Sequence, residues 1–416
     1  MTHDDTASDH TDTFDVVIIG GGIVGLTLAA RLCHRNALRV AVVDAGQAPV
    51  VPDEALTLRT TSLNATALAM LEEAGVMAHL PARFLTDFDR LEVGSRERPS
   101  ALAFSAADID RERFGVFVEN DRLRAALWQR LTEMPNATLL EGARLERLER
   151  DETRARVTLD GGRQLETALV VGADGARSRV RHLAGIESRQ RDYAQEAMVI
   201  NVRLARDAGH TTWQTFTPSG PVALLPLHER QASLIWYDSP EATRRRAGLD
   251  DEALHRAVRQ TFPTRLGELE TIVERGHFPI SRLHAGRYSA TRLALVGDAA
   301  HVIHPLAGQG VNLGMADVRA LVEAIEAGES PGASAVLSRY QRQQWPRNAA
   351  MLFGVEQLHY LFTLPFAPLR HLAERGLAGA DRFSYIKRFL MALATGDSPR
   401  PDAPDRDSSD HDPSHR

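Results

Sequence analysis

The chain has one cysteine, Cys33, among 416 residues. That excludes a disulfide framework and a four-cysteine zinc site, suits a reducing compartment, and leaves no metal site to expect. Lysine is as scarce: Lys387 stands alone among 49 basic residues, so a lysine Schiff base, as with pyridoxal phosphate, has almost nowhere to form. No run of about 18 uncharged apolar residues occurs, so no membrane-crossing helix is expected. A dominant charge is missing too. Residues 1–13 contribute four Asp and no base, and residues 397–416 six Asp against three Arg, so the ends carry −7 of a chain whose net charge is −6. The body between them is close to neutral, which gives no argument for nucleic acid.

What is present reads as a globular chain with 43% hydrophobic and 25% charged residues, long enough for two or three domains. Met1–Thr13 is polar and acidic, without the basic and apolar regions of an export signal, and reads as a disordered lead on a cytoplasmic protein. Asp397–Arg416 reads as a disordered tail. Phe14–Ile19 is a short apolar run stopped by three glycines; Leu26–His34 has helical spacing, and Arg39–Val43 is apolar again. Strand, glycine turn, helix and strand open a doubly wound parallel sheet. Further apolar runs at Ala168–Val171 and Leu293–Val296 also end in Gly/Asp clusters, where the ligand of an open parallel sheet is expected. From about Gln190 to Ile280, alternating segments with turn residues between them predict an inserted, mainly antiparallel sheet. From Val318 to Thr395 the pattern is helical, with interruptions expected at Pro346 and around Pro365 to Pro368.

The sharpest motif is Gly20-Gly21-Gly22-Ile23-Val24-Gly25, a G-x-G-x-x-G between strand and helix, followed by Asp44 at the end of the next strand. In that context it predicts a bound dinucleotide. Gly20 allows the tight turn, Gly22 admits a pyrophosphate to bare backbone, Gly25 lets the helix pack closely, and Asp44 meets a ribose diol. A second cluster, Gly172–Val180, contains Asp174 and Gly175. A third, Leu295–His301, contains Gly297 and Asp298 and leads through Pro305 to Gly308-Gln309-Gly310-Val311-Asn312. Each alone is equally readable as a structural turn.

In this order and at these separations, the three motifs resemble the single-component flavin-dependent aromatic hydroxylases related to p-hydroxybenzoate hydroxylase, over roughly Phe14 to Ala350. Trp213–Leu227, Ser233–Pro240 and Val118–Trp128 resemble the ubiquinone-biosynthesis hydroxylases, most closely the branch acting on 2-polyprenyl-3-methyl-6-methoxy-1,4-benzoquinol. The resemblance implies an α/β fold. Its discontinuous, Rossmann-like FAD-binding domain would comprise 14–75, 105–189 and 281–350, with an antiparallel substrate domain (76–104 and 190–280) and C-terminal helices (351–396). It assigns Gly20, Gly22 and Gly25 to the FAD pyrophosphate and Asp44 to the adenosine ribose. Arg59 and Arg124 become flavin contacts, Asp174 and Gly175 part of a turn serving FAD and the nicotinamide donor, and Gly297 and Asp298 the ribityl site. The backbone of Gly308, Gln309, Gly310, Val311 and Asn312 would face the isoalloxazine.

With no second G-x-G-x-x-G, the reductant has no Rossmann domain of its own, as the resemblance implies. NAD(P)H and O2 are then co-substrates, and a quinol ring is hydroxylated through a flavin C4a-hydroperoxide that a dry pocket must protect. Trp213, Phe216, Leu224, Leu225, Leu227 and Trp236 are expected over that ring, though alternating apolar residues on strands are as readily plain core; Pro305 is a further pocket candidate. His301, His304 and His228 lie near the motifs, but none is assigned as a base. The C-terminal helices are expected to pack on the FAD domain, or else to touch the inner membrane or ubiquinone-pathway partner subunits. Hydroxylation of another ring position, a hydroxylase of small phenolic acids, a prenyl reductase and a non-catalytic flavoprotein subunit stay open as alternatives.

Overall fold

The computed structural model describes residues 11–363 except 37, 54, 96–101, 218, 305–309 and 329, and only the backbone of 36, 102 and 358–363. The expected disordered lead and tail therefore lie largely outside the described residues, as do Pro305, Gly308, Gln309 and most of the C-terminal helical region.

The first sheet is built on strands with continuous apolar runs. β1 (Asp12–Ile19) leads through the glycine turn into α1 (Ile23–Asn36) and β2 (Val40–Asp44). Asp12 and Thr13, expected in the disordered lead, already belong to β1, where they pair with Leu165 and Glu166. β3 (Thr60–Asn64), α2 (Ala65–Glu73), β4 (Thr86–Phe88), β5 (Arg90–Ser95), β6 (Leu102–Ser105), β7 (Gly115–Glu119) and α3 (Asn120–Thr132) follow, with β3, β7 and β4 paired in a separate three-stranded sheet. Next come β8 (Ala137–Glu141), β9 (Leu145–Arg150), β10 (Ala155–Leu159), β11 (Gln164–Gly172) and the short α4 (Arg179–Leu183). After the second sheet, β17 (Ser289–Ala290) and β18 (Leu293–Leu295) complete the first.

Four strands of this sheet run parallel side by side in the order β18, β11, β1, β2, with β8 parallel beyond β2. Leu295 stands opposite Gly172, Gly172 opposite Ile19, and Ile19 opposite Val43. The three glycine clusters predicted from sequence thus leave one edge at one level. Val16, Val17, Ile18, Val40, Val42, Val170 and Val171 are fully buried, as strands covered on both faces require.

The second sheet contains β12 (Ser188–Leu204), β13 (Thr211–Thr217), β14 (Gly220–Pro226), β15 (Gln231–Asp238), β16 (Leu269–Ala285) and β19 (His301–Val302). β5 and β6 join it beyond β13, and only the β13–β5 pair is parallel. The domain boundaries expected at 189/190 and 280/281 fall inside β12 and β16, which run on together to Ser188 and Ala285. α5 (Pro240–Ala247) and α6 (Asp251–Thr261) cover one face of this sheet.

Strand alternation divides the sheet. Met198, Ile200, Val202, Val222, Leu224, Ala232, Leu234 and Trp236 point to the helices and pack with Leu254, Val258 and Phe262. The residues between them, including Val199, Asn201, Ser233, Ile235 and Tyr237, point the other way, where Asn201 meets the backbone of Thr57 and Leu225 and Leu227 pack with Phe88, Phe114 and Phe117.

α7 (Gly310–Glu326) and α8 (Ser334–Thr363) close the fold. The interruption expected at Pro346 does not occur: α8 continues through it. Proline removes one helical hydrogen bond, but anchors on both sides hold the helix. Tyr340 Oη donates to Leu295 O (2.7 Å), Trp345 Nε1 to Ala285 O (3.0 Å) and Asn348 Nδ2 to Asp317 Oδ1 (2.9 Å).

His284 of β16 stacks on Trp345 at 5.1 Å, and burial lowers its pKa from 6.5 to about 4. The neutral ring is the folded form. This burial therefore costs nothing above pH 6.5 and progressively more as pH falls toward 4. His284→Phe should flatten the loss of stability between pH 6.5 and 5, by at most about 1 kcal/mol for a half-buried ring, in urea unfolding. Parallel pH profiles for the two proteins would contradict the assignment.

Candidate functional site

At the end of β1 the backbone turns sharply at Gly20, whose φ is +117°. A Cβ there would stand 2.3 Å from Ala173 O, so only glycine lets the first turn close on the second. A Cβ on Gly22, by contrast, would meet nothing within 4 Å. The backbone there is open just where α1 begins with unpaired amides and a positive dipole end. Asp44 closes the other side: Oδ2 accepts from Gly21 N (2.5 Å) and Oδ1 from Gly46 N (2.8 Å). Arg124 of α3 donates from Nε to Gly21 O (2.9 Å) and stands 4.0 Å from Asp44. The cradle therefore offers amides and a guanidinium to a diphosphate, with a carboxylate beside it for a ribose.

The third cluster reaches the same place through α1. Val24 packs against Gly297 and Gly314, where a Cβ on Gly314 would fall 2.5 Å from Val24 Cγ2. Asp298 is exposed on the crevice. Desolvation by the surrounding fold raises its carboxyl pKa, against the opposing charges of His301 and Arg59; water reaching the crevice limits that rise. Arg59 itself lies with its guanidinium 5.5 Å from the centre of the Phe278 ring on β16. It lies between Phe278 of the second sheet and the Asp298 charge. Gly310, at the start of α7, again has open space where a side chain would be. Asn312 is used internally: Oδ1 accepts from Asn64 N (3.0 Å), and Nδ2 donates to Ser62 O (2.9 Å), fixing α7 to β3.

Several predicted residues have other work. Asp174 accepts from Ser178 Oγ (2.5 Å), Arg179 N (2.6 Å) and Val180 N (3.0 Å), so its carboxylate holds the start of α4. Gly175 supplies that turn with φ +79°. His301 is buried against Asp317, Nε2 to Oδ2 at 2.6 Å. Burial alone would lower its pKa, but the Asp317 charge and hydrogen bond outweigh that and raise it. His228 lies 3.3 Å from Glu119 and edge-on to Phe84. His304 stacks on Tyr237 at 5.7 Å and meets Tyr193 edge-on, against the inner face of the second sheet.

The six pocket candidates divide by strand parity. Trp213 and Trp236 point away from the face that carries Tyr237 and Ile280. They pack on the outer face against Phe262, with Arg265 and Arg246 over their rings. Leu224 lies in that outer core as well. Phe216, opposite Pro221, takes the inner parity. Leu225 and Leu227 take it too, joining a cluster with Phe88, Phe114 and Phe117.

Three site-building residues were not picked out from the sequence. Buried Asp317 accepts from Gly297 N, His301 Nε2 and Asn348 Nδ2, binding the third turn, β19 and α8 at one point. Arg181 joins the second and third turns by donating to Ala176 O and Ala299 O, both at 2.8 Å. Tyr237 lines the inner face. The available signal for Asp317 was a lone acid within the apolar repeat of α7.

The model of the FAD binding domain family matches residues 13–353, and the chain belongs to that family. It is an FAD-dependent monooxygenase, and the open cradle at Gly22 and the Asp44 carboxylate suit that cofactor. The chain is 39% identical to 3-demethoxyubiquinol 3-hydroxylase of Escherichia coli (strain K12), covering 92% of this chain and 98% of that one. It is 34% identical to ubiquinone hydroxylase UbiL of Rhodospirillum rubrum, covering 92% and 89%. Among solved structures, a variant of PqsL from Pseudomonas aeruginosa superposes with a TM-score of 0.75 at 26% identity, covering 89% of this chain and all of the other.

Asp317→Asn should remove roughly 3–5 kcal/mol of stability by leaving a buried imidazolium without its counter-charge. Because the folded His301 pKa is raised, the pair's contribution is complete below pH 6.5 and is lost as pH rises through the raised value. The gap between natural chain and variant should therefore narrow on going from about pH 6 to about pH 9 in urea unfolding. A constant gap would show that the charge is not what the pair contributes.

Proposed function

We propose that this chain hydroxylates the ring of a polyprenylated benzoquinol in ubiquinone biosynthesis, with NAD(P)H and O2 as co-substrates. The reading rests on one juxtaposition: Arg59, in the field of Asp298, lies against an apolar sheet face through Phe278. Ala197, Ile235, Tyr237, Phe278 and Ile280 make up that face. It is also the chemistry in the names of the two ubiquinone hydroxylases that the chain resembles over most of its length.

FAD, when bound, supplies hydride acceptance from NAD(P)H and the activation of O2. The chain places and shields the reaction. The α1 amides and Arg124 hold the diphosphate, Asp44 the ribose and Asp298 the ribityl hydroxyls. The start of α7, open at Gly310, offers amides to negative charge on the flavin ring. The face of Ile235, Phe278 and Tyr237 takes the flat quinol ring and excludes water, with Phe216 at its margin. His301 is committed to Asp317 and His228 to Glu119. Of the three candidate histidines, His304 is the one against the substrate face, and no base is assigned.

The decisive assay supplies a short-chain quinol analogue, NAD(P)H and O2. A product heavier by one oxygen, with hydroxybenzoates leaving NAD(P)H oxidation at its basal rate, is expected. A product heavier by two hydrogens, or turnover of hydroxybenzoates alone, would contradict the proposal.

A polyprenyl tail is a bilayer lipid, so we infer peripheral contact with the inner membrane through the C-terminal side of the chain. No described helix is long and apolar enough to cross a membrane. Phe353 of α8 is 61% exposed, whereas Leu352 and Val355 are buried, so the last residues can be removed only beyond α8. The full chain should cosediment with phospholipid vesicles and a chain ending at Thr363 should not; equal binding would place the contact elsewhere.

A further inference from the structure

Arg59 is the last residue before β3, and the stretch that delivers it crosses the inner face of the second sheet. That stretch has little secondary structure of its own. Its polar backbone is held instead by three buried side chains from other elements. Arg122 of α3 donates to the carbonyls of Pro52 (3.3 Å), Asp53 (3.0 Å) and Ala55. Glu119 accepts from Thr57 N at 2.6 Å. Asn201 of β12 donates from Nδ2 to Thr57 O (2.8 Å) and reaches Leu58 O at 3.4 Å.

Arg122 and Glu119 are themselves fixed. They form a buried ion pair (Nε to Oε2, 2.7 Å), and Arg122 lies 3.7 Å over the Phe84 ring. Both belong to the nucleotide half of the fold. Asn201 differs in standing on the substrate sheet, two residues along β12 from Val199 and directly opposite Ser233. Beside it, Leu58 rests on Gly276, where a Cβ would fall 2.4 Å from Leu58 Cδ2. The next residue is Arg59, over Phe278 two positions further along β16 and in the field of Asp298.

We propose that Asn201 is a positioning residue, which through Thr57 and Leu58 fixes from the substrate sheet where Arg59 stands in the FAD crevice. The amide is suited to this role because it donates to carbonyls that the strap cannot pair within itself. An apolar side chain of the same size would leave Thr57 O without that donor, and on the substrate-sheet side the stretch before Arg59 would be held by the Leu58 packing alone. The inference rests on the reading of Arg59 as a flavin contact, and the test separates the two.

Flavin fluorescence quenching gives the FAD affinity of the natural chain, Arg59→Met, Asn201→Ala and the double variant, with melting of the apoproteins as control. Losing a charged contact in Arg59→Met should weaken FAD binding roughly tenfold or more. Asn201→Ala should weaken it about fivefold, and the double variant should bind no more weakly than Arg59→Met, since the second change acts through the first. Hydrogen exchange at the Leu58 amide should quicken in Asn201→Ala. Should that variant fail to fold, Asn201→Ser, too short to reach Thr57 O, carries the same expectation. A change in Asn201 that leaves FAD affinity within twofold, or that adds in full to Arg59→Met, overturns the inference. If Arg59→Met binds FAD like the natural chain, the assignment of Arg59 itself fails and the coupling falls with it.

Discussion

The site depends on the parallel alignment of β18, β11 and β1, which brings three glycine-ended strands to the same level on one edge of a sheet. Parallel pairing fixes direction as well as proximity, so the unpaired amides and carboxylates after each strand collect on one side. The fit is tight: Gly20 passes the second turn with no room for a Cβ, while Gly297 and Gly314 let Val24 in from α1. Small residues at these crossings are what let the turns touch.

That edge carries the glycine turns of an FAD-binding fold, and the second sheet adds an apolar face. Period-two alternation sends one set of side chains into a helix-backed core and the other toward the crevice. Stability of the outer layer and polarity of the inner layer are thereby set by different residues on the same strands. The long strands β12 and β16 run through both regions, so the sheet that carries the apolar face is continuous with the chain that returns to β17, β18 and Asp298. Arg181 and Asp317 fasten the turns from behind, by hydrogen bonds rather than by packing.

Much of this was legible in the amino-acid order. Apolar runs ending in glycine identified β1, β11 and β18, and the nineteen-residue interval from Gly25 placed Asp44 at the end of β2. Other features needed three dimensions. Trp213 and Phe216 both read as lid residues, yet three positions along a strand is an odd step, and they face opposite ways. Asp174 follows a strand and a glycine in sequence. Its partners, the amides of Arg179 and Val180, emerge only when α4 forms. Pro346 looked like a break because local propensity cannot anticipate the anchors at Tyr340, Trp345 and Asn348. Asp317 left only the faint mark of the one acid on the buried stripe of α7.

Every role above depends on where the nucleotide lies. A crystal structure of the protein with FAD should place the diphosphate within hydrogen-bonding reach of the first amides of α1, the ribityl chain beside Asp298, and the flavin ring facing Phe278 and Ile235. A diphosphate seated away from Gly22, or a flavin ring on the Trp213 and Trp236 side of the second sheet, would contradict it.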